Sequence, residues 1–392
     1  MKLGPLGPDD VTDLRPFLEA VPDPRSKRGR WYSLTSILLV CAAAVISGAR
    51  SIDELAEWGA RAGIGVLQKL GVRRHLLRWR HAPSRSAIGR VLERLDGDAL
   101  DAAVGAWLSR RHGETAPAAG QRRAIAVDGK ALRGSARLGQ PRRHLLSAVT
   151  HDRPLTLAQA EIGRKTNETT HFKPLLAPLD LRGDVITFDA LHSVRANVTW
   201  LVEAKQAHYV AVIKTNQPTA WAQLERLEWT AVPIQHTASG TGHGRRESRS
   251  IKTVGIDDNL GGIAFPHARL ALRVHRRRKE TGKKETRETV YAVTSLDAHQ
   301  ATPAELAAYL RGHWAIENSS HHIRDVTFDE DASTVHTGTA PRAMAAFRNL
   351  TIGTLKAAEA TNIAKTIRAI RDNPERALPF LGITNNPALS GT

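Results

Sequence analysis

The chain has 392 residues, more than one ordinary compact domain holds, and a rule of about one domain per 150 residues predicts two or three. Its 56 Lys and Arg against 39 Asp and Glu give a formal net charge of +17 and a pI near 10.5, a bias toward polyanions such as nucleic acid. Cys41 is the single cysteine, which excludes a disulfide framework and a thiolate zinc site. The most apolar stretch, Leu34 to Ile46, is shorter than the ~18 to 20 residues that cross a bilayer, so it predicts a buried helix and no membrane partner. The opening residues carry acids and prolines rather than a basic start before an apolar core. No secretory signal is expected, and the predicted location is cytoplasmic and nucleoid-associated.

From Leu34 to Leu100 apolar residues recur at helical spacing, interrupted by Gly63, Gly65, Gly71 and the His81-Ala82-Pro83-Ser84 punctuation. Ser84 is the expected N-cap of a helix from Ala87 to Leu95, with Ile88, Val91 and Leu92 inward and Arg85, Arg90 and Arg94 outward. Such a helix can enter a DNA groove, or it can be a solvated arginine face on a bundle. A polar stretch from Gly113 to Gln121 predicts a boundary, after which the periodicity changes.

Strands are predicted at Ala124–Val127, His144–Val149 and Thr156–Ile162, which suggest an antiparallel meander. A helix over Thr169–Leu181, a strand Val185–Phe188, a helix near Asn197–Lys205 and a strand His208–Ile213 follow. This is the element order of a ribonuclease H-like fold within the mixed α/β class. Residues from about Pro218 to Thr289 break the pattern as a strand-rich insertion. Within it, Arg273 to Arg287 holds eight basic residues against two acids and is expected to be a phosphate-contacting loop. Val290–Val293 resumes strand character, and Pro303–Glu317 predicts a helix.

Asp128 and Asp189 each end a predicted strand, where side chains emerge at the edge of a sheet. If those strands are neighbours, the carboxylates converge, and Glu317 on a helix packed across the sheet can supply a third. Magnesium takes a few carboxylate oxygens plus water and phosphate, and paired ions about 4 Å apart stabilise both attacking and leaving oxygens in phosphodiester displacement. The plainer reading is that strand-end aspartates start turns, Asp128-Gly129 being a turn signal, and that Glu317 is a buried ion-pair acid. A rival constellation is His313, Glu317 and His321 at i, i+4 and i+8, with His322 beside them; it would favour zinc and a metal-dependent hydrolase, although no HExxH spacing occurs. Asp325, Asp329, Glu330 and Asp331 downstream can cap or brace the site.

Several ordered motifs carry a resemblance. They are Asp23-Pro24-Arg25, Arg28-Gly29, Ser47-Gly48-Ala49-Arg50-Ser51, Ala126-Val127-Asp128-Gly129-Lys130, Lys165-Thr166-Asn167-Glu168 and Asp189-Ala190-Leu191-His192. Further on come Lys214-Thr215-Asn216-Gln217-Pro218, His243-Gly244-Arg245, Arg311 to Asn318, Arg324 to Phe328 with Glu330-Asp331, and Arg348-Asn349-Leu350. Nearly end to end, the chain resembles the insertion-sequence transposases of the ISAs family, also called H-repeat-associated proteins, in the DDE transposase group. The resemblance implies a DDE active site of Asp128, Asp189 and Glu317 that binds two Mg2+ ions, for which Mn2+ can substitute. It implies metal-dependent cleavage of the element's ends and strand transfer into target DNA.

Related transposases also carry a helical signature of Tyr, Arg, Glu and Lys around the final acid. Here the Arg and Lys places hold His313 and Arg324, with Leu310 at the Tyr place beside Tyr309, which leaves the phosphate-facing charge to Arg324. Ser319-Ser320-His321-His322 departs from the aromatic, apolar sequence expected there. The expected DNA contacts are Arg85, Arg90, Lys130, Lys214, Arg245, Arg276, Arg277, Arg278, Arg311 and Arg324. The expected partners are double-stranded DNA, as terminal inverted repeats and as target, and a second copy of the chain in the synaptic complex.

The expected organisation is a helical DNA-end-binding domain over residues 1–118, a catalytic core over 119–217 and 290–392, and a basic insertion over 218–289. Two other readings remain: a DNA-binding regulator that has lost the reaction, and a nuclease that cuts without joining.

Overall fold

In the computed structural model the described residues are 13–28, 30–75, 80–113, 121–137, 142–163, 168–242, 244–256 and 262–383. The stretch 114–120 and the motif residues Gly29, Lys165, Thr166, Asn167 and His243 lie outside them. In chain order the helices are α1 (Arg15–Glu19), α2 (Leu34–Ile46), α3 (Ile52–Arg61), α4 (Ile64–Lys69), α5 (Arg85–Arg94) and α6 (Gly97–Gly113). Next come β1 (Ala124–Leu132), β2 (Arg143–Thr150), β3 (Thr156–Ile162), α7 (Glu168–Leu176), β4 (Val185–Phe188), α8 (Arg195–Glu203), β5 (His208–Ile213) and α9 (Pro218–Arg226). The chain continues through β6 (His236–Gly242), β7 (Arg245–Gly255), β8 (Leu270–Glu280), β9 (Thr286–Thr294) and α10 (Pro303–Ile316). It ends with a π-helical turn (Glu317–His321), α11 (His322–Val326), α12 (Ala340–Ala357), α13 (Ile363–Arg371) and α14 (Ala377–Phe380). Three strands, then helix, strand, helix, strand is the ribonuclease H-like order of a mixed α/β fold.

The chain divides into two compact units, one within 1–116, 129–166 and 317–392, the other within 117–128 and 167–316. In the first, α2 is apolar on every side and its residues from Ser36 to Ile46 are buried, as a helix without a polar face must be. Ser33 starts it by accepting from the Ser36 amide, and Ser84 does the same for α5 through the Ala87 amide. On α5, Ile88, Val91 and Leu92 are buried while Arg85, Arg90 and Arg94 are exposed. Strands β2 and β3 pair antiparallel, and α6 lies so close to β3 that a Cβ on Gly105 would stand 2.1 Å from the Leu157 carbonyl oxygen. Among the described residues no helix is long and apolar enough to cross a membrane.

In the second unit the sheet order is β1-β4-β5-β9-β8-β7-β6. The pairs β1–β4 and β4–β5 are parallel and the rest antiparallel. Val185, Val210, Leu272, Ala292 and Leu310 belong to one core that seats α10 on this sheet. The basic run Arg273 to Arg287 is a hairpin, β8 and β9 with a tight turn, not the expected loop. Its alternate residues pair across to β7, and Arg276 reaches Glu247 on β7 (2.6 Å) and Glu288 on β9 (3.6 Å).

Candidate active site

Strands β1 and β4 run parallel in the register Ala124↔Val185 to Val127↔Phe188, so Asp128 and Asp189 are the next residue on each. Neighbouring strands lie about 4.8 Å apart and side chains at equivalent positions share a face, so the two carboxylates follow directly where the β1–β4 pairing stops, Asp189 just past the end of β4 and Asp128 within β1. Both residues are half-buried. Asp128 does not start a turn, because β1 continues through Gly129 to Leu132. Asp189 does: its Oδ1 accepts from the amides of Leu191 (3.0 Å) and His192 (3.3 Å). Its Oδ2 receives no hydrogen bond from any described residue.

Helix α10 brings His313 to the same side of β4. His313 Nδ1 lies 3.4 Å from the Thr187 hydroxyl, and Thr187 is two residues before Asp189, on the same face of the strand. Burial pushes the His313 pKa down to about 4 against the opposing pull of Asp189, so the ring is neutral at pH 7. The signature's Arg place therefore carries no charge in this chain. His192 is buried on the ring of Phe172 (centroids 5.9 Å apart), with its Nε2 3.3 Å from Glu168.

Glu317 opens the π-helical turn of the first unit and is exposed, with no ion pair among the described residues, so it is not a buried salt-bridge acid. The turn also ends the α-helical spacing on which a His313, Glu317, His321 face depends. His321 is pushed down to about 3 by burial and by the nearby Arg324 and Lys130 charges. Among the described residues no three His, Cys, Asp or Glu side chains gather closely enough to hold one metal ion, neither the His313, Glu317, His321 set nor the Asp128, Asp189, Glu317 set.

The expected DNA contacts fall into two groups. Arg324 is 1 % exposed, with Nε and Nη2 on the two oxygens of Glu330 (2.9 and 3.0 Å), and Arg348 bonds the same acid at 2.8 Å. It cannot face phosphate, because its guanidinium neutralises a buried carboxylate. Lys130 is likewise buried, holding both oxygens of Asp325 at 2.8 and 2.7 Å. Arg276, Arg277 and Arg278 are tied to Glu247, Glu285 and Glu280. By contrast Arg90, Lys214 and Arg311 are exposed, and so is Arg85, which pairs with Asp53. Arg245 and Arg311, with Arg249 and Glu247, line a groove of about 170 Å³ beside the glycine-rich strand β6.

Residues 119–352 match the family described as Transposase DDE domain, and residues 16–108 match a region described as DDE_Tnp_1-associated. The chain belongs to the DDE transposase family. The transposase-named YncI of Escherichia coli O157:H7 is 26 % identical over 361 residues, covering 88 % of each chain. The H repeat-associated YhhI of Escherichia coli K12 is 25 % identical over 88 % of this chain and 91 % of its own. A protein of Xanthobacter autotrophicus is 30 % identical over 69 % of this transposase and 90 % of its own length. These relatives agree with the H-repeat-associated resemblance of the sequence motifs.

Residues without an assigned role in the sequence reading also shape the site. The Ser193 hydroxyl lies within hydrogen-bond reach of the Asp189 carbonyl (3.1 Å) and of Val212 on β5 (2.9 Å). Asn216 donates to the Ala190 carbonyl at 2.6 Å and Gln217 to that of Ser193 at 2.9 Å. The signal was present in the two motifs Asp189 to His192 and Lys214 to Pro218; what was missing is that they are spatial neighbours.

Proposed function

We propose that this transposase cuts the ends of an insertion sequence and joins them to target DNA, with Asp128, Asp189 and Glu317 as the catalytic carboxylates. The observation that carries the reading is that Asp128 and Asp189 follow directly on the parallel pairing of β1 with β4, with Asp189 Oδ2 accepting no hydrogen bond from any described residue. Glu317 enters from its sequence motif. The donor chemistry fits magnesium, or manganese in its place: the pair offers hard oxygens, no thiolate is near, and the adjacent His313 is buried against Thr187. Two such ions would supply charge stabilisation for the attacking and leaving oxygens.

In the first step a water oxygen attacks the phosphorus at the element's end, and the bond to the 3′ oxygen breaks to leave a 3′ hydroxyl. In the second, that hydroxyl attacks a target phosphodiester and displaces the target's own 3′ oxygen, so no bond energy is supplied from outside. The fixed turn at Asp189 keeps one carboxylate oxygen aimed while these groups exchange. Lys214 and the Arg245, Arg249 and Arg311 groove are the phosphate contacts of this reading, with Arg85 and Arg90 on α5 as contacts to the element's ends. Holding two ends together calls for two copies of the chain, and the substrate places the work on chromosomal DNA.

The test is Mg2+-dependent cleavage and joining of DNA carrying the gene's own flanking ends, comparing the protein with Asp189→Asn. Cut and joined products lost in the variant support the proposal. Cutting without joining makes it a nuclease, and binding without cutting makes it a regulator.

A further inference from the structure

Gln217 is the N-cap residue of α9, followed by Pro218 at the first helical position, yet its side chain makes no capping bond. Glutamine is not among the residues that cap well, so local helix chemistry does not account for it. The side chain reaches across instead to the Ser193 carbonyl (2.9 Å), while the neighbouring Asn216 reaches the Ala190 carbonyl (2.6 Å). The loop that carries both is closed on itself by the Gln217 amide, which donates to the Lys214 carbonyl at 2.9 Å. Ser193, fully buried, adds a third tie from the same turn to Val212 at the end of β5.

These ties act on one short segment, Asp189 to Ser193. That segment donates the two amides that hold Asp189 Oδ1. The Leu191 N–H shares a peptide plane with the Ala190 carbonyl, so if that carbonyl is free to rotate the Leu191 amide turns with it, and without the tie at Ser193 the far end of the turn is released as well; the carboxylate then loses its fixed direction. A carboxylate held at one oxygen with the other open is arranged to offer that second oxygen in a set direction.

We infer that Asn216 and Gln217 are positioning residues that clamp the Asp189 turn and so aim its open oxygen at a divalent cation, an inference resting on the metal role proposed for Asp189. Among the described residues their side-chain hydrogen bonds go to backbone carbonyls, so on this inference they act through Asp189. Groups of this kind around metal-binding carboxylates set affinity by about 10- to 100-fold.

The probe is Mn2+, titrated by electron paramagnetic resonance into the protein bound to element-end DNA. The variants are Asn216→Ala, Gln217→Met (similar length without the donor) and Asp189→Asn, each also measured for melting temperature and DNA affinity. The expected result is a half-saturating Mn2+ concentration raised about 10-fold or more in Asn216→Ala and Gln217→Met, and Gln217→Glu, which also lacks the N–H donor there, failing to restore cleavage at low Mn2+. Unchanged Mn2+ binding in both clamp variants alongside weakened binding in Asp189→Asn overturns the clamp and leaves the metal role standing. Unchanged binding in Asp189→Asn overturns the metal role and the clamp with it. Clamp variants that keep melting temperature but lose DNA affinity overturn the inference by showing that the loop serves DNA directly.

Discussion

Asn349 donates to Gln159 at 2.8 Å, and through that one bond two buried ion-pair systems of the first unit become a single polar chain. On one side Gln159 donates to Asp101 (2.9 Å), which is also held by Arg342 (2.7 Å). On the other, Arg324 lies 3.4 Å from the Asn349 oxygen and grips Glu330, which Arg348 also bonds. The chain ties α6, β3, α11 and α12 together with directional bonds across a core that is otherwise apolar. Arg324, Glu330, Arg348 and Asn349, all within sequence motifs, therefore serve the integrity of the unit.

Replacing Glu330 with Gln leaves two buried guanidinium groups without a counter-charge. Removing one partner of a buried pair costs about 3–5 kcal/mol, because the remaining charge is stranded away from water. Chemical denaturation at pH 7 is expected to show that loss for Glu330→Gln. A loss below about 1 kcal/mol would mean that the network is solvated and carries no such weight.

The same acid sets a pH window. Burial alone would raise the Glu330 pKa, but Arg324 and Arg348 more than offset it and hold it down at about 2. A depressed carboxylate contributes stability above its unfolded pKa of about 4.3 and loses it as pH falls toward the folded value. The parent is therefore expected to lose about 3 kcal/mol between pH 5 and pH 2 from this group, a loss that Glu330→Gln does not show. Unfolding free energies of the two proteins across that range provide the check. Parallel curves would remove Glu330 as the source.

Much of this fold was legible because its signals are local. Strands Thr156–Ile162, Val185–Phe188 and His208–Ile213 have the bounds that their apolar runs give, and Ser84 caps α5 as its spacing implies. What failed depended on partners distant in sequence. Asp128-Gly129 is a turn signal, yet β1 runs through it because pairing extends the strand. The basic run at Arg273 looks unpaired until Glu247, 29 residues from Arg276, comes opposite on β7. Arg324 looks like a phosphate contact until Glu330 and Arg348 close around it. Asp189 was legible as a strand end, while Asp128 was expected at one and lies inside β1; the clamp from Asn216 and Gln217 was not legible, since nothing local points across to residues 190 and 193.

Gly105 makes a sharper test of close packing. In a helix interior Ala is favoured over Gly by about 1 kcal/mol, so propensity alone says Gly105→Ala stabilises. The added Cβ would meet the Leu157 carbonyl oxygen at 2.1 Å, and a backbone atom in a paired strand cannot step aside. A net loss of about 1–3 kcal/mol is expected by denaturation, the usual cost of overpacking. A stabilised variant would show that α6 and β3 are further apart than this.

The last expectation separates free arginines from neutralised ones. Arg311 is exposed on α10 beside Arg245 and Arg249 and has no carboxylate partner among the described residues, whereas Arg277 is held by Glu285 at 3.1 Å. A phosphate contact releases condensed counterions, so losing one lowers the salt dependence of binding by about 0.9 in the slope of log K against log salt. Arg311→Ala should weaken binding to element-end and unrelated DNA alike and flatten that slope by about 1. Arg277→Ala should change neither by as much, because removing an arginine already paired with Glu285 leaves that acid to repel the same phosphates only at the exposed end of the hairpin. Fluorescence anisotropy from low to moderate salt reads both slopes. Equal flattening by the two variants would place DNA on the hairpin as much as in the groove, and no flattening by Arg311→Ala would take DNA out of the groove.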